Sequence, residues 1–279
     1  GGSLLGTWRI GTIADRTVTM EPNAAEAISL QAGDLWQGVY RFDEVTVTGN
    51  AILDSDDPIR MPTVNLTGPT TAGSYTEILE RVVAETVTVT GNVVVPGVTA
   101  TDLTVKSGAL LTNPSSTATQ VRVLDLNVSG TLTIEQGGSI DVTGRGYPAG
   151  TTYAGATGST NAAGSHLGVG GIGSGDTPSG TYGNVRQPQE AGSGGFGSHA
   201  LAGGGVVRIQ AGAIVLGGTS ASIIANGAGS YNNVGAGGSV WITAGSITGD
   251  GRIEAAGGGA NYSRGGGGAI AIEYGSTSG

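Results

Sequence analysis

The sequence predicts an all-β chain, a parallel β-helix (solenoid) with a glycine-rich insert and glycine-rich loops between strands. Three observations predict it. The hexapeptide VTVTGN occurs twice, at Val45–Asn50 and Val87–Asn92. A looser unit, apolar-x-apolar-x-Gly, recurs around it. Glycine is also unevenly placed, with 13 of 55 in residues 1–136 and 42 in residues 137–279.

The looser unit starts at Val45, Val64, Val87, Leu103 and Leu126, so successive starts lie 16 to 23 residues apart. One turn of a β-helix needs about 20 residues. The unit returns from Ile140, Ile223 and Ile253. Its alternation of apolar and polar residues is the period of a strand with one buried face. Val45 and Val47 would then point inward, and Thr46 and Thr48 outward. Glycine ends each strand because it tolerates a positive φ at a corner. Asn50 and Asn92 hold one place in the repeat, as turn residues or as rungs of an asparagine ladder. Parallel crossovers default to the right hand, so a right-handed solenoid is expected.

The second half carries a different unit, G-x-[VI]-x-I-x-x-G, from Gly205, Gly238 and Gly268, at offsets of 33 and 30. Glycine-rich excursions join its strands. They either pack as extended polyglycine-type helices whose amides bond one another, or form mobile loops. Residues 144–205 lose the strand pattern altogether. A structureless loop of that length is uncommon in a compact domain, and its aromatic residues argue for order. YTEILERVVAET offers the ion pairs of a helix at Glu77, Arg81 and Glu85, yet it runs into VTVTG and reads as strand.

The chain thus divides into a capping or irregular segment at 1–40, β-helix coils at 41–143, the glycine-rich insert at 144–205 and further coils with glycine-rich loops at 206–279. Within the first segment, EPNAAEAISLQAG reads as a helical turn or coil. Trp8, Trp36 and Tyr40 supply bulk for a cap over the solenoid end.

Charge narrows the partners. The chain has 12 basic and 21 acidic residues, and Lys106 is its one lysine. Nucleic-acid binding draws on clustered Lys and Arg, so no nucleic-acid partner is expected. No apolar run is long enough for a membrane helix, so no membrane insertion is expected. No lysine follows a glycine run, as a phosphate loop requires. The absence of cysteine excludes disulfides and thiolate metal sites.

Chemistry is sparse. LDSDDPIR places Asp54, Asp56 and Asp57 in a turn, as a solvated acidic cluster or as a Ca²⁺ site, since Ca²⁺ takes several oxygen ligands. No other cofactor is expected. Polysaccharide hydrolysis would need carboxylates paired across coils, a pattern absent here, so the expected chain is no enzyme. A β-helical polysaccharide lyase or hydrolase is the alternative. An ice-binding surface is a third, suggested by Thr46/Thr48 and Thr88/Thr90. The expected ligand surface is the insert, through Tyr147, Tyr153, His166, Tyr182, Asn184 and Phe196. Aromatics among small polar residues stack on sugars and bond their hydroxyls. The competing reading packs them as a small satellite core.

From Ser139 to Tyr274 the motifs SIDVTGRGYPAG, GSHLGVGG, YGN, GGGVVRIQAG, IIANGAG, GAGGSVWITAGSITGDGRIEAAGG and GGGGAIAIEY follow in order. This half of the chain resembles a glycine-rich β-strand repeat module of very large bacterial surface proteins, adhesin-like and wall-associated or RHS-type. LWQGVYRFDEVTVTGNAIL resembles their strand-rich flank. The resemblance implies an exported structural or adhesive role at the bacterial cell surface, with surface glycans or self-association as the partners. It carries over no activity and no ligand residue. GGSLLG and YGSTSG look like cuts inside a longer polypeptide.

Overall fold

The computed structural model describes residues 9–14, 17–21, 40–41, 44–47, 52–53, 59–172, 176–229, 233–259 and 263–275, with side chains from residue 62 onward. Two units are distinguished, Gly1–Gly38 and Val39–Gly279. In the first, β1 (Arg9–Ala14) pairs antiparallel with β2 (Thr17–Glu21). EPNAAEAISLQAG, Trp8, Trp36 and the Asp54, Asp56, Asp57 turn lie outside the described residues, apart from Glu21 at the end of β2.

The second unit is all-β. Among the described residues there is no helix. Its first strands are β3 (Tyr40–Arg41), β4 (Glu44–Val47), β5 (Ile52–Leu53), β6 (Ile59–Thr67) and β7 (Thr76–Ile78). There follow β8 (Val82–Thr90), β9 (Asn92–Val94), β10 (Gly97–Val105), β11 (Leu110–Thr112), β12 (Val123–Glu135) and β13 (Ser139–Asp141). After residues 142–205 come β14 (Val206–Gly217), β15 (Ser222–Ile224), β16 (Ser239–Gly249), β17 (Arg252–Glu254) and β18 (Ala269–Tyr274).

Two wholly parallel sheets result. The long strands order as β18-β16-β14-β12-β10-β8-β6-β3, with β4 also on β6, and the short ones as β17-β15-β13-β11-β9-β7-β5. From β5 to β18 successive strands alternate between the sheets. The repeats therefore stack in register. Val45, Val64, Val87, Leu103, Leu132, Ile214 and Ile247 are partners in sequence across the long-strand sheet. Val93, Leu111, Ile140, Ile223 and Ile253 do the same in the other.

These columns make the core. Val87, Val89, Leu103, Leu132 and Ile140 are fully buried, while Thr88 and Thr104 on the alternate positions are not. A buried leucine in such a column contributes about 2 to 5 kcal/mol over alanine. Across the 64 residues between β13 and β14 the stacking resumes, for β14 pairs with β12 from Val123↔Val206 to Glu135↔Gly217, with a one-residue shift between Val128 and Thr131.

YTEILERVVAET is strand, as its β-branched residues predict, but it supplies two strands, β7 and β8, one to each sheet. At the second hexapeptide the left-handed corner belongs to Gly91, at φ +83°, and Asn92 opens β9. The Asn92 side chain is buried and donates to the carbonyls of Thr71 and Ser74, at 3.0 and 3.1 Å. It ties down the preceding loop, and glycine, lacking Cβ, takes the corner at less cost than asparagine. Asn50, the other asparagine of the repeat, lies outside the described residues.

Candidate functional site

The glycine-rich excursions and the insert form one hydrogen-bonded bundle. Its axis is segment 233–238. Gly235 N–H donates to Ala228, Ala236 to Ser193, Gly237 to Gly266, and Gly238 returns to the first neighbour at Ala225, all at 2.7 to 2.9 Å. In the other sense Val234 O accepts from Gly164, Gly235 O from Gly258 and Ala236 O from Gly204. At Gly237 O the pattern returns to the first acceptor neighbour, where His166 Nδ1 lies at 2.8 Å.

Donors and acceptors thus each repeat every three residues, toward six different segments. That is the geometry of an extended helix with three residues per turn and no internal bonds, whose amides are all free for neighbours. The six also bond one another around the ring. The pairs are Gly192 to Gly204, Ala228 to Ala202, Gly227 to Ala256, Gly265 to Gly258, Gly266 to Gly164, and Phe196 to Ala162. The ring is closed, and every link is backbone.

Such contact requires glycine. A Cβ on Gly235 would lie 1.9 Å from Ala202 O, and one on Gly203 would lie 1.9 Å from Gly192 O. Of the two readings of these stretches, the packed polyglycine-type helices describe them.

His166 belongs to this lattice. It is fully buried. Its Nδ1 faces a carbonyl, so Nδ1 carries the proton, and it stands where a backbone N–H would otherwise donate. Nε2 has no hydrogen-bond partner. Burial, against the weaker pull of the Gly237 carbonyl, holds its pKa below the usual imidazole value and keeps the ring neutral.

Tyr182 stacks on Tyr153, and the His166 ring lies tilted at 38° to it, with centroids 5.0 Å apart in both pairs. Its hydroxyl donates to Ala191 O at 2.7 Å, and burial pushes its pKa upward. Tyr147 is buried against Ala191 and Val206. Phe196 is buried with its ring edge toward Gly158. Asn184 is exposed, and its Oδ1 accepts from the amides of Arg186 and Gln187 at 2.8 and 3.2 Å, closing a local turn.

Of the six side chains expected at a ligand surface, the structure therefore brings Tyr153, Tyr182 and His166 into one aromatic cluster. Tyr147, His166 and Phe196 are interior, and Tyr153 and Asn184 reach solvent. His199 is exposed at φ +57°, and Asn233 has φ +46°. Asn233 Nδ2 bonds Asn161 Oδ1 at 2.9 Å and Ser198 O at 3.1 Å, which joins three loop ends of the bundle.

Sequence reasoning missed a cluster on the outer face of the long-strand sheet. Asp125 accepts from Arg81 and, at 2.7 Å, from Arg208 Nε, across 44 and 83 residues of chain. Partial burial disfavours its charge, but the bonds from Arg208 and Arg81 outweigh this and hold its carboxyl below the usual range. Laying VLDLNVSG over VVRIQAG sets Asp125 opposite Arg208, so the signal was present in the repeats. Lys106 pairs with Glu135 at 2.7 Å on the same sheet. Among the described residues no group of three or more His, Asp or Glu side chains is placed to hold a metal ion.

No family model, curated protein or solved structure matches this chain.

Proposed function

We propose that the chain is a non-catalytic structural and adhesive module of a large extracellular bacterial surface protein, that it is a right-handed parallel β-helix, and that it binds surface glycans. The closed glycine ring carries this reading. It spends an extended stretch of sequence on a rigid backbone lattice, attached in register to a stack of strands, and gathers no acid–base pair. Such a body suits a load-bearing spacer that displays surface. Alternation of strands between two parallel sheets from β5 to β18 supports the β-helix, because each strand pairs with the strand two places on in the sequence.

The resemblance of Ser139–Tyr274 to glycine-rich surface modules supports the location. Low charge and the absence of a basic cluster favour uncharged partners over nucleic acid. The test is binding of the folded chain to a printed glycan array and to whole bacterial cells. Saturable binding to surface glycans is expected. A folded chain that binds neither array nor cells overturns the adhesive half of the proposal and leaves a passive spacer. Release of reducing ends from a bound polysaccharide would overturn the non-catalytic half.

A further inference from the structure

Three adjacent long strands carry a glycine at one level, Gly130 of β12, Gly212 of β14 and Gly245 of β16. Opposite Ser129 and Gly130 of β12 stands the single residue Gly212 of β14, a bulge, and Gly245 follows on β16. A Cβ on Gly212 would lie 2.6 Å from Ser129 O, and one on Gly245 2.5 Å from Gly212 O, so the close approach of the strands here demands glycine. Without side chains there, the outer face carries a shallow, open trough of about 380 Å³. Beside the glycines it is lined by Asn127, Ser129, Gln210 and Thr243.

Asn127, Gln210 and Thr243 are register partners on three adjacent strands. They form a row across the strands, about 10 Å long at about 4.8 Å per step. Asn127, Ser129 and Gln210 are exposed, and no described residue takes up any of the four side chains. Two residues back on each strand, and so on the same face, stand Asp125, Arg208 and Trp241. Asp125 is paired with both Arg81 and Arg208, and the row continues on β18 at Glu273, the exposed register partner of Thr243.

We propose that this trough is the glycan site of the module, and that it takes an uncharged oligosaccharide lying across β12, β14 and β16. This rests on the adhesive reading above. Two amides and two hydroxyls offer both donors and acceptors, which is what sugar hydroxyls need. Trp241 adds an aromatic group beside Thr243. A straight row perpendicular to the strands suits a linear polymer better than a compact ligand. The exposed Glu273 at the end of the row, together with the chain's net charge of −9, disfavours an anionic polysaccharide and favours a neutral one.

The experiment titrates the full chain with neutral hexose oligomers (β-glucan and mannan fragments) and with anionic uronate oligomers. It compares wild type, the double variant Asn127→Ala/Gln210→Ala, and Tyr153→Ala on the insert. Neutral oligomers are expected to bind, and the double variant to raise Kd about tenfold or more, since two hydrogen bonds are lost. Tyr153→Ala should leave Kd unchanged, and both variants should melt as wild type does. Neutral binding that the double variant leaves intact overturns the trough while the adhesive reading stands. Preference for uronates overturns the ligand class. No binding to any glycan removes the adhesive reading, and the trough with it.

Discussion

The stacked sheets and the glycine bundle are both built from repeats, yet opposite forces hold them. In the sheets, Leu103, Leu132 and Ile140 are buried in columns, and the outward threonines contribute little. Removal of apolar area from water does the work there. In the bundle, segment 233–238 buries mostly glycine and alanine and depends on backbone bonds to six neighbours. A hydrogen bond nets only about 1 kcal/mol, but a buried amide left without one costs about 1 to 3. The sheets therefore tolerate a changed bond better than a lost methyl group, and the bundle tolerates neither an added methyl group nor a lost acceptor.

The largest expected effect falls on the sheets. Leu132→Ala should cost about 2 to 5 kcal/mol, read by denaturant unfolding. It should lower protection from amide exchange in β10, β12 and β14 together. A cost below about 1 kcal/mol would mean that the columns are not the core.

Next is Gly235→Ala. The added methyl group meets Ala202 O at 1.9 Å, and no flexible side chain is there to yield. The expected cost is about 1 to 3 kcal/mol. Exchange should accelerate at Gly164, Gly204, Ala236 and Gly258 and stay slow in β8 and β10. Uniform acceleration would show that bundle and sheets unfold as one body.

pH should separate the two regions further. His166 is neutral when folded, and its folded pKa is depressed. Below about pH 6.5 the unfolded chain binds a proton that the folded one refuses, so stability falls as pH falls. The slope cannot exceed about 1.4 kcal/mol per pH unit. It should appear between about pH 6.5 and 5 in bundle amides, and be absent in His166→Gln. Asp125 has the usual carboxylate sense, with stability kept above its unfolded pKa and lost in more acid solution. A bundle indifferent to pH from 7 to 5 would show that Nε2 finds a partner on protonation.

The smallest effect belongs to the surface. Asp125→Asn should cost less than about 1 kcal/mol, since both arginines are more than a third exposed, at 38% and 51%. Added salt should shrink it. Urea melts at low and high ionic strength would check this, and a salt-independent loss would place the triad in the core economy after all.

The sequence by itself determined the class and period of this chain. Alternation in VTVTGN, VNLTGP and LTVKSG sets strands with one buried face, because a side-chain period of two follows from the pleat. Repeat spacing set the stacking of like on like, and glycine density marked where backbones approach closely. Tertiary structure decided the rest. That six glycine segments close around a seventh is legible in no single segment, since each amide's partner lies on another excursion. That Tyr147, His166 and Phe196 face inward while Tyr153 faces out depended on which segment became the axis. The pairing of Asp125 with Arg208, and the trough beside it, depended on register across the 64 residues between β13 and β14, and its pairing with Arg81 on contact across 44 residues of chain. Local propensity acts over a few residues, whereas these contacts join groups that only the stacked strands and packed segments bring within hydrogen-bonding distance.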